Sequence, residues 1–107
     1  MTNIVLVHGS WYGAWCWERV VPLLARRGHR VRAIDLPAHG QDASAPASAS
    51  LESYVESCRR AIDELGGGAV VVGHSMAGAV LSSLAEESPE RTAALVYVAA
   101  YLLRDGE

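Results

Sequence analysis

The stretch "VVVGHSMAGAV", residues 70–80, places a serine where chemistry is feasible: an apolar run ends at Gly73-His74, Ser75 follows, and small residues open a helical segment. A serine nucleophile on a sharp strand-to-helix turn needs small residues two before and two after it, because neighbouring backbone approaches closely. Gly73 and Ala77 hold those places, giving Gly-x-Ser-x-Ala where Gly-x-Ser-x-Gly is the usual form, and Gly78 adds a further small position. The chemistry is attack on a carbonyl carbon. The amide of Met76, at a helix N-terminus, is placed to hold the developing oxyanion. A second donor is expected from the loop after the first strand. There "HGSW", residues 8–11, supplies a sharp turn at Gly9, the Ser10 amide as the donor, and Trp11 at the mouth to shape an acyl pocket. Gly9, Trp11 and His74 are the expected substrate-pocket residues.

Other readings compete for the same residues. A serine between a strand and a helix is commonly an N-cap, which would make Ser75 structural and the protein a non-catalytic binding module. Gly73 to Gly78 also resembles Gly-x-Gly-x-x-Gly with its middle glycine lost. A dinucleotide site is disfavoured because Ser75 puts a side chain where backbone must meet a pyrophosphate, and no acidic residue ends the next strand, "ALVYVAA". No Gly-Lys-Ser/Thr follows either glycine loop, so a P-loop is excluded. None of the four histidines is a convincing general base. His8 is expected to brace the oxyanion loop, and His74 points away from Ser75 as its strand neighbour. His29 and His39 are expected to be structural or solvated.

The elements that must position these groups alternate in type. "IVLV" (Ile4 to Val7) reads as a buried parallel strand, and Trp17 to Arg27 as a helix stopped by Gly28. Pro22 fits that helix only near its first turn. "HRVRAIDL" makes a second strand, and Pro37 to Ser50 reads as a mobile surface loop. Ser50 caps a helix from Leu51 to Leu65 with one apolar stripe, which Gly66 to Gly68 terminate. A strand at Ala69–Val72, a helix at Ser75–Ser88 closed by Pro89, and a strand at Ala94–Ala99 follow. This order predicts an α/β fold, a parallel sheet with helices on both faces and ligands at the carboxyl ends of the strands.

Composition bounds the partners. The chain has 107 residues, half of them apolar, and a net charge of −3, which fits a globular fold of at most one small domain. Its only adjacent basic pairs are Arg26-Arg27 and Arg59-Arg60, so no basic groove recommends nucleic acid. The N-terminus has no signal-like or membrane-length apolar run, and Cys16 and Cys58 read as free thiols of a reducing compartment. A cytoplasmic protein is the expectation.

The segments "VLVHGSWYGAWCWERVVPLLARRGHRVRAIDLPAHG", "VVVGHSMAGAV" and "LVYVAAYLLRDGE" together resemble the α/β-hydrolase superfamily. More narrowly they look like bacterial relatives of the plant methylesterase and hydroxynitrile-lyase group. The resemblance implies Ser75 as nucleophile, the Ser10 and Met76 amides as the oxyanion hole, small esters as substrates, and no metal or organic cofactor. Gly9 stands where lyases of the group tend to carry threonine, which favours ester hydrolysis over C–C cleavage. In the superfamily the triad runs Ser, then Asp or Glu, then His. The histidine is then expected beyond this chain, after a helical cap. Asp105 is a candidate acid because it follows the last strand, although the resemblance places that acid one strand later. Such domains commonly need about 200 to 250 residues. The chain therefore reads as the N-terminal half of one domain, with strand order 2-1-3-4 and nearly inactive alone. Its last strand is left as an edge at which copies can pair, making a homo-oligomer a candidate.

Overall fold

The computed structural model describes residues 2–44 and 46–102. β-branched runs buried on both faces make the two central strands, β1 (Asn3–Val7) and β3 (Ala69–His74), and every strand pair is parallel. β2 (Arg30–Ile34) and β4 (Thr92–Val98) flank them in the order β2-β1-β3-β4, as the resemblance implies. Exposed Arg30 and Arg32 blunt the β2 edge against pairing, whereas the β4 edge exposes Val96 and Val98.

Strand alternation divides the core into two layers. Val5, Val7 and Val71 pack on one face against α2 (Leu51–Glu64) and α3 (Ala77–Glu87), through Val55, Cys58, Ile62, Val80, Leu81 and Leu84. Ile4 and Leu6 face the other way, against Trp17 and the apolar side of α1 (Val20–Arg26), Val20, Val21 and Leu24. Helices thus cover both faces.

The boundaries of α2 follow from its sequence. Ser50 Oγ accepts from the Ser53 amide at 3.0 Å while Ser53 Oγ accepts from the Ser50 amide at 3.0 Å, a reciprocal cap at the first turn. At the other end Gly67 N donates to Ile62 O and Gly66 N to Asp63 O, the paired bonds of a glycine stop. That stop requires a positive φ, and Gly66 has φ 102°.

Elsewhere the expected boundaries shift. The helix expected from Trp17 is a 3-10 turn at Ala14–Trp17 followed by α1 from Val20, which puts Pro22 in the first turn, where its missing N–H costs no helical bond. β3 runs on to His74, and α3 starts at Ala77 rather than Ser75. The segment from Pro37 to Ser50 includes a 3-10 helix at Pro46–Ser48, and Pro37 is buried. No helix among the described residues is long and apolar enough to cross a membrane. Ser50→Ala is expected to lower unfolding free energy by about 1 kcal/mol, with Ser50→Asp losing less. Urea midpoints of the two variants check this, and an unshifted midpoint for Ser50→Ala would refute the cap.

Candidate active site

β1 and β3 pair with Val7 opposite Gly73, so the chain beyond each strand brings Gly9 alongside Ser75. A Cβ on Gly9 would lie 2.9 Å from Ser75 Cβ and 3.1 Å from the His74 carbonyl, so the two turns meet this closely because residue 9 is a glycine. Ser75 has φ 57°, a left-handed conformation uncommon outside glycine and costly enough to need fixing from several sides. Its main chain is so fixed. Its amide donates to Val98 O at 3.4 Å, and its carbonyl accepts from Gly78 N and Tyr101 N, both at 3.0 Å. A Cβ on Gly78 would overlap the Tyr101 backbone, so that anchor also depends on a glycine.

The capping role expected of a structural serine is not met. The N-cap of α3 is Met76, with no side-chain cap bond, and the Ser75 hydroxyl bonds to none of the described residues. Ala77 is accommodated because Gly73 leaves space. A Cβ on Gly73 would come within 3.2 Å of Ala77 Cβ and 2.7 Å of Leu81 Cδ1. The second small residue of the turn therefore carries a methyl, while a methyl on the first would have to displace the end of the Leu81 side chain.

The Ser10 and Met76 amides donate to no acceptor among the described residues, so both remain free for a ligand. Ser10 and Trp11 begin one wall of a 560 Å³ cleft, continued by Tyr12 and faced by Ala38, His39 and Gly40. Trp11 is 93% exposed, an apolar side chain standing at the cleft rim. The expected pocket residues divide. His74 stacks on Tyr12, with centroids 5.7 Å apart and rings 9° from parallel, and lines a separate 250 Å³ space with Cys16 and Val98. Gly9, packed between backbones, lines neither space, and neither does Ser75. Asp105 lies outside the described residues.

His8 braces the loop as expected, and its bonds fix its tautomer. Its Nε2 accepts from Leu36 N at 3.0 Å, so the proton sits on Nδ1 and is donated to Gly9 O at 2.8 Å. Burial holds its pKa below the ordinary histidine value, opposed by the Gly9 bond and assisted by nearby His39. His29 Nδ1 accepts from the Thr2 amide and is structural. Cys58 is fully buried, which pushes its thiol up to about 12, whereas Cys16 is only half-buried.

Sequence reasoning missed three residues. Tyr12 lines both spaces. Asp35, at the end of β2, accepts from Ala14 N at 2.7 Å and Gln41 N at 3.2 Å, so one carboxylate ties together the loops on both sides of the larger cleft. Gly13 and Gly40 make room for it, and a Cβ on Gly40 would fall into the carboxylate. His39 is a cleft wall rather than a solvated loop residue. The available signal for Asp35 and His39 was their position after a strand's carboxyl end, where such sheets gather ligands.

The chain belongs to the alpha/beta hydrolase family, whose sequence model matches residues 4–106. Methylesterase 1 of Arabidopsis thaliana is 39% identical over 104 residues, covering 94% of this chain and 40% of that protein. Pyrethroid hydrolase of Sphingobium wenxiniae is 36% identical over 107 residues, covering 99% of this chain and 38% of that protein. The crystal structure of a polyneuridine aldehyde esterase mutant superposes with a TM-score of 0.88 at 30% identity, covering 99% of this chain and 43% of that one. The chain thus spans about 40% of the length of the curated relatives it matches.

The depressed pKa of His8 has a signed consequence. Below about pH 6.5 the unfolded chain takes up a proton at this residue that the folded chain refuses, so stability is lost as pH falls through that value. Unfolding free energies measured at pH 7.5 and 5.5 should fall more for the wild type than for His8→Asn. Equal falls in the two proteins would contradict the buried neutral assignment.

Proposed function

We propose that this chain carries the nucleophile and oxyanion hole of a carboxylic-ester hydrolase that works through an acyl-enzyme. The observation that carries the reading is Ser75 itself, held at positive φ by three main-chain bonds, with its hydroxyl uncommitted among the described residues, beside the Gly9 turn. The names of the relatives, methylesterase and pyrethroid hydrolase among them, support ester substrates.

In this reading Ser75 Oγ loses its proton to a base and bonds to the ester carbonyl carbon. The negative charge on the carbonyl oxygen is held by the Ser10 and Met76 amides, whose preorganisation lowers the barrier. Collapse breaks the bond to the alkoxy group, which leaves as the alcohol with the proton returned by the base. Water then repeats the sequence on the acyl-serine and releases the acid. We assign the base and its acidic partner to a part of the protein outside the described residues. His8 has both ring nitrogens engaged, and no described histidine bonds to Ser75. We therefore take the chain as the nucleophile-bearing part of a longer hydrolase, with a histidine elsewhere completing the triad.

Gly9, standing where lyases of the group tend to carry threonine, supports hydrolysis over hydroxynitrile cleavage. In the complete protein, Ser75→Ala is expected to lower kcat for p-nitrophenyl acetate by roughly 10⁶-fold, the scale of losing a serine hydrolase's nucleophile. Mandelonitrile should not be turned over by the wild type. Undiminished ester turnover in Ser75→Ala would end the nucleophile assignment.

A further inference from the structure

We propose that His39 is a specificity-determining residue whose Nε2 accepts a hydrogen bond from the substrate, so that preferred esters carry a hydroxyl or N–H group. The proposal rests on the ester-hydrolase reading and adds a substrate class to it.

The tautomer comes first. His39 Nδ1 lies 2.9 Å from the Pro37 carbonyl, which can only accept, so Nδ1 carries the proton and Nε2 of the neutral ring has a lone pair. Nε2 has no partner among the described residues. The unpartnered buried side-chain polar atoms among them are Asn3 Oδ1 and Trp17 Nε1, so Nε2 is reached from open space. The open space that His39 lines is the 560 Å³ cleft, which Ser10 also lines. A substrate held by the Ser10 amide extends from there into the cleft. Among the lining side chains, Trp11 Nε1 can only donate, and the Ser10 and Tyr12 hydroxyls can do either. Only His39 Nε2 is committed to accepting. Ala38, Pro46 and Ala49 add carbon surface without a competing side-chain polar group.

The loop is built to hold that ring still. Ala38 adopts φ 64°, a strained conformation for an alanine that persists only where surrounding bonds enforce it. They do so here. Ala38 N donates to Asp42 Oδ1 at 3.1 Å, while His39 N donates to Leu36 O and Asp42 N to His39 O, both at 2.9 Å. His8 packs on the ring at 5.0 Å between centroids and Tyr54 meets it edge-on at 5.9 Å. Asp35 fixes this loop to the segment after Ser10 through Gln41 and Ala14. An acceptor held at a fixed distance from the Ser10 wall is preorganised for one part of a ligand, which is where binding selectivity originates.

The test compares methyl 2-, 3- and 4-hydroxyphenylacetate with methyl phenylacetate, using the complete protein as wild type, His39→Phe and His39→Gln. We expect at least one hydroxylated ester to exceed methyl phenylacetate in kcat/KM by roughly 10-fold, the worth of one well-placed hydrogen bond. The difference should lie mainly in KM. His39→Phe should bring the ratio to about 1, and His39→Gln, which keeps an acceptor, should retain part of it. A ratio is independent of the active fraction, so poor folding of a variant does not disguise the result. A wild type without the preference, or His39→Phe retaining it, overturns the proposal and leaves the hydrolase reading standing. Methyl phenylacetate hydrolysed equally by Ser75→Ala, or none of the four esters hydrolysed, overturns both.

Discussion

Two backbone turns meet at Ser75 with no room for a side chain between them, and the carboxyl edge of the sheet is arranged around that meeting. Gly9 closes from the β1 side to where a Cβ would sit 2.9 Å from Ser75 Cβ. From the other side, Gly78 lets the Tyr101 backbone reach the Ser75 carbonyl. Between them Ser75 is forced to φ 57°, which turns the chain from β3 into α3 and leaves its hydroxyl unbonded among the described residues. A conformation costing of order 1–3 kcal/mol is tolerable here because neighbouring packing and hydrogen bonds over-determine it. Methyl groups at positions 9 or 78 would each meet an atom that cannot easily give way, and one at position 73 would displace the end of the Leu81 side chain.

Around this contact, two polar side chains at neighbouring strand ends cross-brace the loops. His8, just after β1, bonds the Gly9 carbonyl and the Leu36 amide. Asp35, just after β2, bonds the Ala14 and Gln41 amides. Each residue ties the loop after β1 to the loop after β2. His8, which is buried, has both ring nitrogens hydrogen-bonded, the condition under which a buried polar group rigidifies rather than destabilises, and half-buried Asp35 has both carboxylate oxygens engaged. The loop bearing the Ser10 amide and the loop bearing His39 therefore form one unit.

Much of this was legible in the sequence because it is local. Apolar runs, helical spacing and short connections gave the element order and a parallel sheet covered on both faces, whereas the sheet order β2-β1-β3-β4 was implied only by the resemblance to the α/β-hydrolase superfamily. Ser50 and the glycine triplet marked the ends of α2 because caps depend on a few adjacent residues. The start of α1 falls at Val20 rather than Trp17 because Trp17 closes a 3-10 turn, Ala14–Trp17, whose first residue is held by the Asp35 bond to Ala14. That bond spans 21 positions and leaves no periodic trace. His39 was similarly hidden, since its role depends on His8 and Tyr54 arriving from other elements. The elbow motif named Ser75, but its reason for tolerating Ala77 needed the distance between Gly73 and Leu81.

The central claim is that Ser75 Oγ is the activated nucleophile, and covalent trapping addresses it most directly. The complete protein would be treated with a fluorophosphonate and the modified residue located by peptide mass spectrometry. A serine activated by a base and an oxyanion hole should be phosphonylated stoichiometrically. The account predicts one adduct, on Ser75, lost when the protein is first unfolded. An adduct on another residue, or no adduct on folded protein that hydrolyses esters, would contradict it.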